Sequence, residues 1–296
     1  MTGPLGERAS GARSVELTAL SARHEVEHFD GVRPNPGIEQ IRAGIATMRR
    51  FGPQAVIGIG GGSSLDVAKS IAVLAVQRRS PEDCLRHPEV ITEERRCALV
   101  LMPTTAGSGS EMTWFATVYI EGRKYSLDVD QARVDLVLVD QDLTESLPIG
   151  DSVSTGLDAL SQSVESYWSV SATPVSQALA LEALGKLLPA AVALHLPWPL
   201  ERHAEVTDPD CRHPQGSAAV RDAVADIENI AQAQTGRGIR QLTGQLLALV
   251  GRPARIEQLA LPADRWLDTM TAALASGRAA NNPCVLTAAD VLPLLA

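Results

Sequence analysis
Aromatic side chains are scarce, 3% of 296 residues, so the 45% apolar content falls on Ala, Leu and Val. That composition suits buried parallel strands and close-packed helices. Positive charge is short as well: 26 Lys and Arg stand against 35 Asp and Glu, a net charge of −9. Without a basic patch the chain has little with which to neutralise a phosphodiester backbone, so no nucleic-acid partner is expected and the acidic balance serves solubility. The four cysteines, at 84, 97, 211 and 284, lie far apart and form no Cys-x-x-Cys pair. This fits reduced thiols in a cytoplasm better than a disulfide framework or a zinc cluster. No apolar run reaches the roughly 20 residues that span a bilayer, so no membrane partner is expected. The opening Met1-Thr2-Gly3-Pro4 has no charged start followed by an apolar core, so no secretory signal is expected. Length allows two domains, and a mean hydropathy of +0.03 is ordinary for a globular chain.

Glycine, by contrast, is concentrated. Val56 to Lys69 reads VIGIGGGSSLDVAK, an apolar strand running into Gly60, Gly61 and Gly62 and then into a helix opened by Ser63 and Ser64. Lacking Cβ atoms, such a backbone can turn sharply and approach a ligand, and free amides at the helix N-terminus can face an anion. A nucleotide phosphate is the expected occupant, with tight packing at a strand-to-helix turn as the structural alternative. The pattern is not a P-loop, which closes on Gly-Lys-Ser/Thr, nor the usual GxGxxG, because Ser63 stands at the last position. A second apolar strand, Ala98 to Met102, ends in Pro103-Thr104-Thr105-Ala106-Gly107-Ser108-Gly109-Ser110-Glu111, dense in hydroxyls and glycines. Open parallel sheets bind ligands beyond the carboxyl ends of their strands, so both loops are expected at one crevice.

Strands are expected at 55–60, 98–102, 115–120 and 134–140, and helices at 11–20 and 37–51. Strand and helix alternate, which predicts a parallel sheet in an α/β nucleotide-binding domain over residues 1–147. From Pro148 the strand signals vanish. Residues 148–296 read as an all-α domain of Ala/Leu-rich helices with turns at Ala172-Thr173-Pro174, Pro197 to Pro199 and Gly251-Arg252-Pro253. Glu201 to Gly216 reads as an exposed loop. In the first helix of this domain Asp158, Gln162 and Glu165 fall at i, i+4 and i+7 and share one face, which suits either a metal or solvent.

Four segments in order, GIGGGSSLDVAK, PTTAGSGSEMT, VDLVLVDQDLTESLP and TGLDALSQSVESYWS, make the chain resemble the iron-containing (group III) alcohol dehydrogenases, relatives of dehydroquinate synthase. The likeness runs from about Thr2 to Leu188 and resumes at Ser276 to Pro283. It implies a dehydroquinate synthase-like fold and an NAD(P)H-dependent, metal-assisted reduction of a small aldehyde to an alcohol. By the same resemblance Gly60, Gly61, Gly62 and Ser63 hold the cofactor pyrophosphate, with Asp66, Thr104, Thr105 and Ser108 beside it and Lys124 completing the pocket. Phe29-Asp30-Gly31-Val32 matches the segment that meets the adenosine ribose. An acidic side chain at Asp30 favours NAD, with NADP the alternative, although Asp30-Gly31 is also good chemistry for the turn before Pro34.

The metal half of the resemblance is thinner. The family's helix carries Asp-x-x-x-His, whereas Asp158 is succeeded here by Gln162, a weaker donor than imidazole toward Fe2+ or Zn2+. The family's two later histidines have no counterpart. After Leu188 the sequence jumps to a stretch, Ala191 to Cys211, that resembles the family's segment just past the last of those histidines, which implies an internally shortened helical domain. His195, His203 and His213 define no common helical face. The resemblance also places the family's opening strand ahead of Thr2 and implies a homodimer. Phe115 to Tyr119, Arg123 to Leu127 and Glu165 to Ser169 resemble the branch that reduces phosphonoacetaldehyde to 2-hydroxyethylphosphonate, in phosphonate biosynthesis. Two functions are compatible with these residues: this reductase of a small aldehyde, or a nucleotide-binding pseudoenzyme or inactive remnant lacking the metal-site histidines.

Overall fold
The computed structural model describes residues 20–145, 147–190, 211–236 and 238. The chain divides into two compact units, Met1–Thr155 and Gly156–Ala296. In the first, Ile38, Ile41, Ile45 and Met48 recur at helical spacing and form the buried face of helix α1, Ile38–Phe51. Gly52 ends that helix in the left-handed conformation, φ 65°, with its amide on Met48 O at 2.8 Å. Strand β1 (Ala55–Gly60) leads into helix α2 (Gly62–Leu74), and a short helix α3 (Pro81–Arg86) precedes strand β2 (Ala98–Pro103). Strand β5, Leu136–Val137, closes a parallel sheet in the order β1-β2-β5. Residues 134–140 thus contribute less strand than expected. The pairing does continue past β5 at each end, through Asp135 N on Leu99 O at 3.0 Å and Leu138 N on Leu101 O at 2.9 Å.

The expectation that 115–120 joins the parallel sheet is corrected. Strand β3 (Phe115–Ile120) pairs antiparallel with β4 (Arg123–Asp128) in a separate two-stranded sheet. The reason is local. Only Glu121 and Gly122 separate the two strands, both at positive φ (51° and 77°), which is the geometry of a tight hairpin and leaves no length for a crossover helix. Ala116, Val118, Ile120 and Leu127 are buried on one face of this hairpin. Helix α2 packs against β1, β3 and α1, and its residues from Ser64 to Leu74 are almost all buried. Among the described residues no helix is long and apolar enough to cross a membrane.

The second unit is helical. Helices α4 (Ile149–Trp168), α5 (Pro174–Ala190) and α6 (Gly216–Thr235) carry the chain there, with the division between the units falling inside α4 and the expected boundary at Pro148 just ahead of it. Thr173 starts α5 by a reciprocal cap: its hydroxyl accepts from Ser176 N at 3.1 Å and its own amide donates to Ser176 Oγ at 2.9 Å. Leu160, Val164 and Trp168 of α4, Ala180 and Leu184 of α5, and Val224, Ile227 and Ala231 of α6 form one apolar cluster, each set at three- or four-residue spacing. The turns expected at 197–199 and 251–253, most of the 11–20 helix, the 276–283 motif and residues 201–210 lie outside the described residues.

Tyr167, at the edge of that cluster, donates its phenol to Asp226 Oδ2 at 2.9 Å. Burial first, then the hydrogen bond and charge of Asp226, push this phenol up to about 12. The folded state therefore holds a proton that the unfolded chain releases near pH ~10, so the contribution is complete below that pH and lost as pH rises toward about 12. In thermal unfolding across pH 8–11, wild type should lead Tyr167→Phe by a constant margin up to about pH 9 and lose that margin above about pH 10. A margin independent of pH would disprove the link.

Candidate dinucleotide site
Gly60 and Pro103 are register partners at the ends of β1 and β2, so the glycine loop and the hydroxyl loop leave the sheet side by side. Thr104 N donates to Gly60 O at 3.0 Å and extends the ladder into the loops. Past that bond the loops touch. A Cβ added to Gly61 would lie 3.2 Å from Thr105 Oγ1, and one added to Gly62 would lie 3.0 Å from Ser108 Oγ. Gly61 is the N-cap of α2 and offers no side-chain cap, and the helix has no acidic residue in its first turn. The first amides of α2 are thus left to an incoming anion, with no carboxylate to repel it and the hydroxyls of Thr105 and Ser108 alongside. Gly60, Gly61, Gly62, Ser63, Thr104, Thr105 and Ser108 are brought to one edge.

Asp66, one turn into α2, takes its hydrogen-bond partners inside the protein. Oδ1 accepts from Ser110 Oγ at 2.6 Å and Oδ2 from Thr117 N at 2.9 Å, so both carboxylate oxygens are spent inside the protein. One turn on, Lys69 is fully buried, and its ammonium reaches Ser110 O at 2.6 Å, Phe115 O at 2.7 Å, Thr113 Oγ1 at 3.1 Å and Thr113 O at 3.3 Å. Asp66 Oδ1 stands 3.6 Å away. Burial lowers the Lys69 ammonium from its ordinary value, and the charge of Asp66 opposes that shift. Sequence reasoning passes over Lys69, whose only signal is a cation in an otherwise apolar helix, three residues after an aspartate.

Asp30 is exposed on the segment ahead of α1, and Lys124 is exposed on β4 opposite Tyr119. No contact places either at the loop edge. Asp158 and Gln162 are on α4, and Gln162 Nε2 donates to Asp158 Oδ2 at 3.0 Å, a bond on the exposed side of the helix. Glu165, on the same face, accepts from Ser161 Oγ at 3.1 Å. Among the described residues no group of three or more His, Cys, Asp or Glu could hold a metal ion. His213 accepts from Gln215 N through Nδ1 at 3.2 Å, while His195 and His203 lie outside the described residues. Two donors bonded to each other on an exposed face do not fit Fe2+ or Zn2+, which need about four converging ligands.

A parallel sheet whose first two strands end in a glycine loop and a hydroxyl loop at a helix N-terminus defines an α/β fold with its loops at the carboxyl edge of the sheet, the edge where open parallel sheets take ligands. Residues 6–141 match the family model described as iron-containing alcohol dehydrogenase. The chain is 39% identical over 162 residues to a long-chain-alcohol dehydrogenase 1 of Geobacillus thermodenitrificans, covering 54% of this chain and 41% of that protein. To an NAD-dependent methanol dehydrogenase of Bacillus methanolicus it is 34% identical over 187 residues, 62% of this chain and 49% of the relative. The chain thus spans less than half the length of these relatives. Among solved structures, an iron-containing alcohol dehydrogenase from Thermococcus thioreducens superposes with a TM-score of 0.80 at 20% identity, over 99% of this chain and 90% of that one. A sulfoacetaldehyde reductase from Bifidobacterium kashiwanohense in complex with NAD+ gives 0.72 at 18% identity, over 100% and 89%. These likenesses show the fold, an α/β domain followed by a helical one.

Proposed function
We propose that this chain binds NAD(H) at the joined glycine and hydroxyl loops and belongs to an oxidoreductase that reduces a small aldehyde to an alcohol in the cytoplasm. The observation that carries the reading is the meeting of Gly61 and Gly62 with Thr105 and Ser108 at an uncapped helix N-terminus. There the chain's own part is to hold a pyrophosphate by amides and hydroxyls and so orient the cofactor. When bound, the nicotinamide supplies the hydride, and one proton completes the alcohol. Asp30 is proposed to accept from the adenosine ribose and Lys124 to lie against the cofactor, with NAD preferred to NADP.

Phosphonoacetaldehyde is the proposed substrate, on the strength of the segments around Phe115, Arg123 and Glu165. The sulfoacetaldehyde reductase, which shares the fold, is named for a comparably small anionic aldehyde. A second reading, a nucleotide-binding protein without turnover, is favoured by one observation: Gln162 occupies Asp158 in a hydrogen bond where the related enzymes would hold a metal.

The test is NADH binding followed by NADH oxidation with phosphonoacetaldehyde, on protein loaded with ferrous iron or zinc and on an apo control, with bound metal measured in the same samples. Metal-dependent turnover supports the reductase. Binding without turnover supports the second reading, and absence of NADH binding overturns both. Faster oxidation of simple alkanols than of 2-hydroxyethylphosphonate would refute the phosphonate substrate.

A further inference from the structure
Helix α2 does more than present amides to an anion. It carries Asp66 and Lys69, one turn apart, and through them binds backbone groups in both of the segments that come after β2. Lys69 takes the carbonyls of Ser110, Thr113 and Phe115, the stretch joining the hydroxyl loop to the hairpin. Asp66 takes the Ser110 hydroxyl on one oxygen and the amide of Thr117, in β3, on the other. Thr117 lies two residues from Tyr119, on the same face of β3, and Tyr119 is the cross-strand partner of Lys124. A shift of Thr117 therefore shifts the residue pair that presents Lys124, and a shift of Ser110 moves the end of the loop that carries Thr105 and Ser108.

We propose that Asp66 and Lys69 are positioning residues of the dinucleotide site, a buried clamp through which helix α2 sets the hydroxyl loop and the β3–β4 hairpin against its own N-terminus. The inference rests on the reading of this edge as an NAD(H) site. Neither side chain touches the ligand; each acts on binding through the backbone it holds.

The experiment compares Asp66→Ala, Asp66→Asn and Ser110→Ala with wild type by NADH fluorescence titration and by hydrogen exchange of residues 104–117 in the ligand-free protein, below the unfolding transition. Asparagine keeps an acceptor for Thr117 N and a group for the Ser110 hydroxyl, so it should retain NADH affinity within about threefold, while alanine should weaken it by about tenfold or more. Exchange of 104–117 should rise in Asp66→Ala and stay near wild type in Asp66→Asn. Should Asp66→Ala fail to fold, Ser110→Ala, which leaves every acceptor of Lys69 in place, should still accelerate exchange around the hydroxyl loop and weaken NADH binding. Folded Asp66→Ala with wild-type affinity and wild-type exchange would overturn the clamp. If wild type binds no NADH, the functional reading falls, and the exchange data alone decide whether Asp66 holds these segments.

Discussion

Lys69→Met is expected to lower the unfolding free energy of the α/β unit by about 3–5 kcal/mol, the cost of removing one partner from a buried charged network. Methionine fills nearly the same volume, so packing changes little, and the loss is one of polar partners. Lys69 donates to the carbonyls of Ser110 and Phe115, at 2.6 and 2.7 Å, and stands 3.6 Å from the Asp66 carboxylate, so the substitution takes a charged donor from the first two and a counter-charge from the third. Each hydrogen bond lost to a charged donor costs about 1.5–3 kcal/mol. Urea unfolding followed by circular dichroism measures the change. A loss below about 1 kcal/mol would mean that desolvation of the ammonium already cancels what its bonds contribute.

Gly107→Ala is expected to be nearly as severe, at about 2–4 kcal/mol, and to weaken NADH binding by about tenfold. A Cβ there would lie 2.2 Å from Thr155 O and 2.6 Å from Thr155 C, which are backbone atoms that no rotamer change can move aside. Either the hydroxyl loop or the first turns of α4 must give way, and the hydroxyl loop carries Thr105 and Ser108. Gly109 separates this steric effect from a purely conformational one. Its φ is +61° with nothing within 4 Å of an added Cβ, so Gly109→Ala should cost only the left-handed penalty of about 1–2 kcal/mol. Thermal unfolding and NADH titration of both variants test the contrast, and equal losses would show that close approach at Gly107 is not what matters.

Much of the site is legible in the sequence because its signals are local. A Val/Ile run succeeded by three glycines and serines encodes a strand, a turn and an uncapped helix within the stretch from Val56 to Lys69, and the structure has that order. Helix α1 likewise begins after Gly37 and stops at Gly52, as its apolar spacing and flanking glycines require. The hairpin is harder to see although Glu121-Gly122 marks it, because alternation of β-rich runs with helices implies a crossover, and no helix lies between Ile120 and Arg123. Asp158, Gln162 and Glu165 do share a single face, but helical spacing says nothing of whether the residues on it bind an ion or one another.

The glycines from Gly60 to Gly62, Ser63 and the hydroxyls from Thr104 to Ser108 can be located without the fold, since glycine's lack of a Cβ and the free amides of a first helical turn are properties of adjacent residues. The bonds that Asp66 and Lys69 make inside the protein come from the packing of distant segments. The partners of Lys69 lie 41 to 46 residues along the chain and those of Asp66 lie 44 and 51. At such separations no periodicity or spacing rule applies, and a carboxylate or an ammonium takes its role from whatever the fold packs against it.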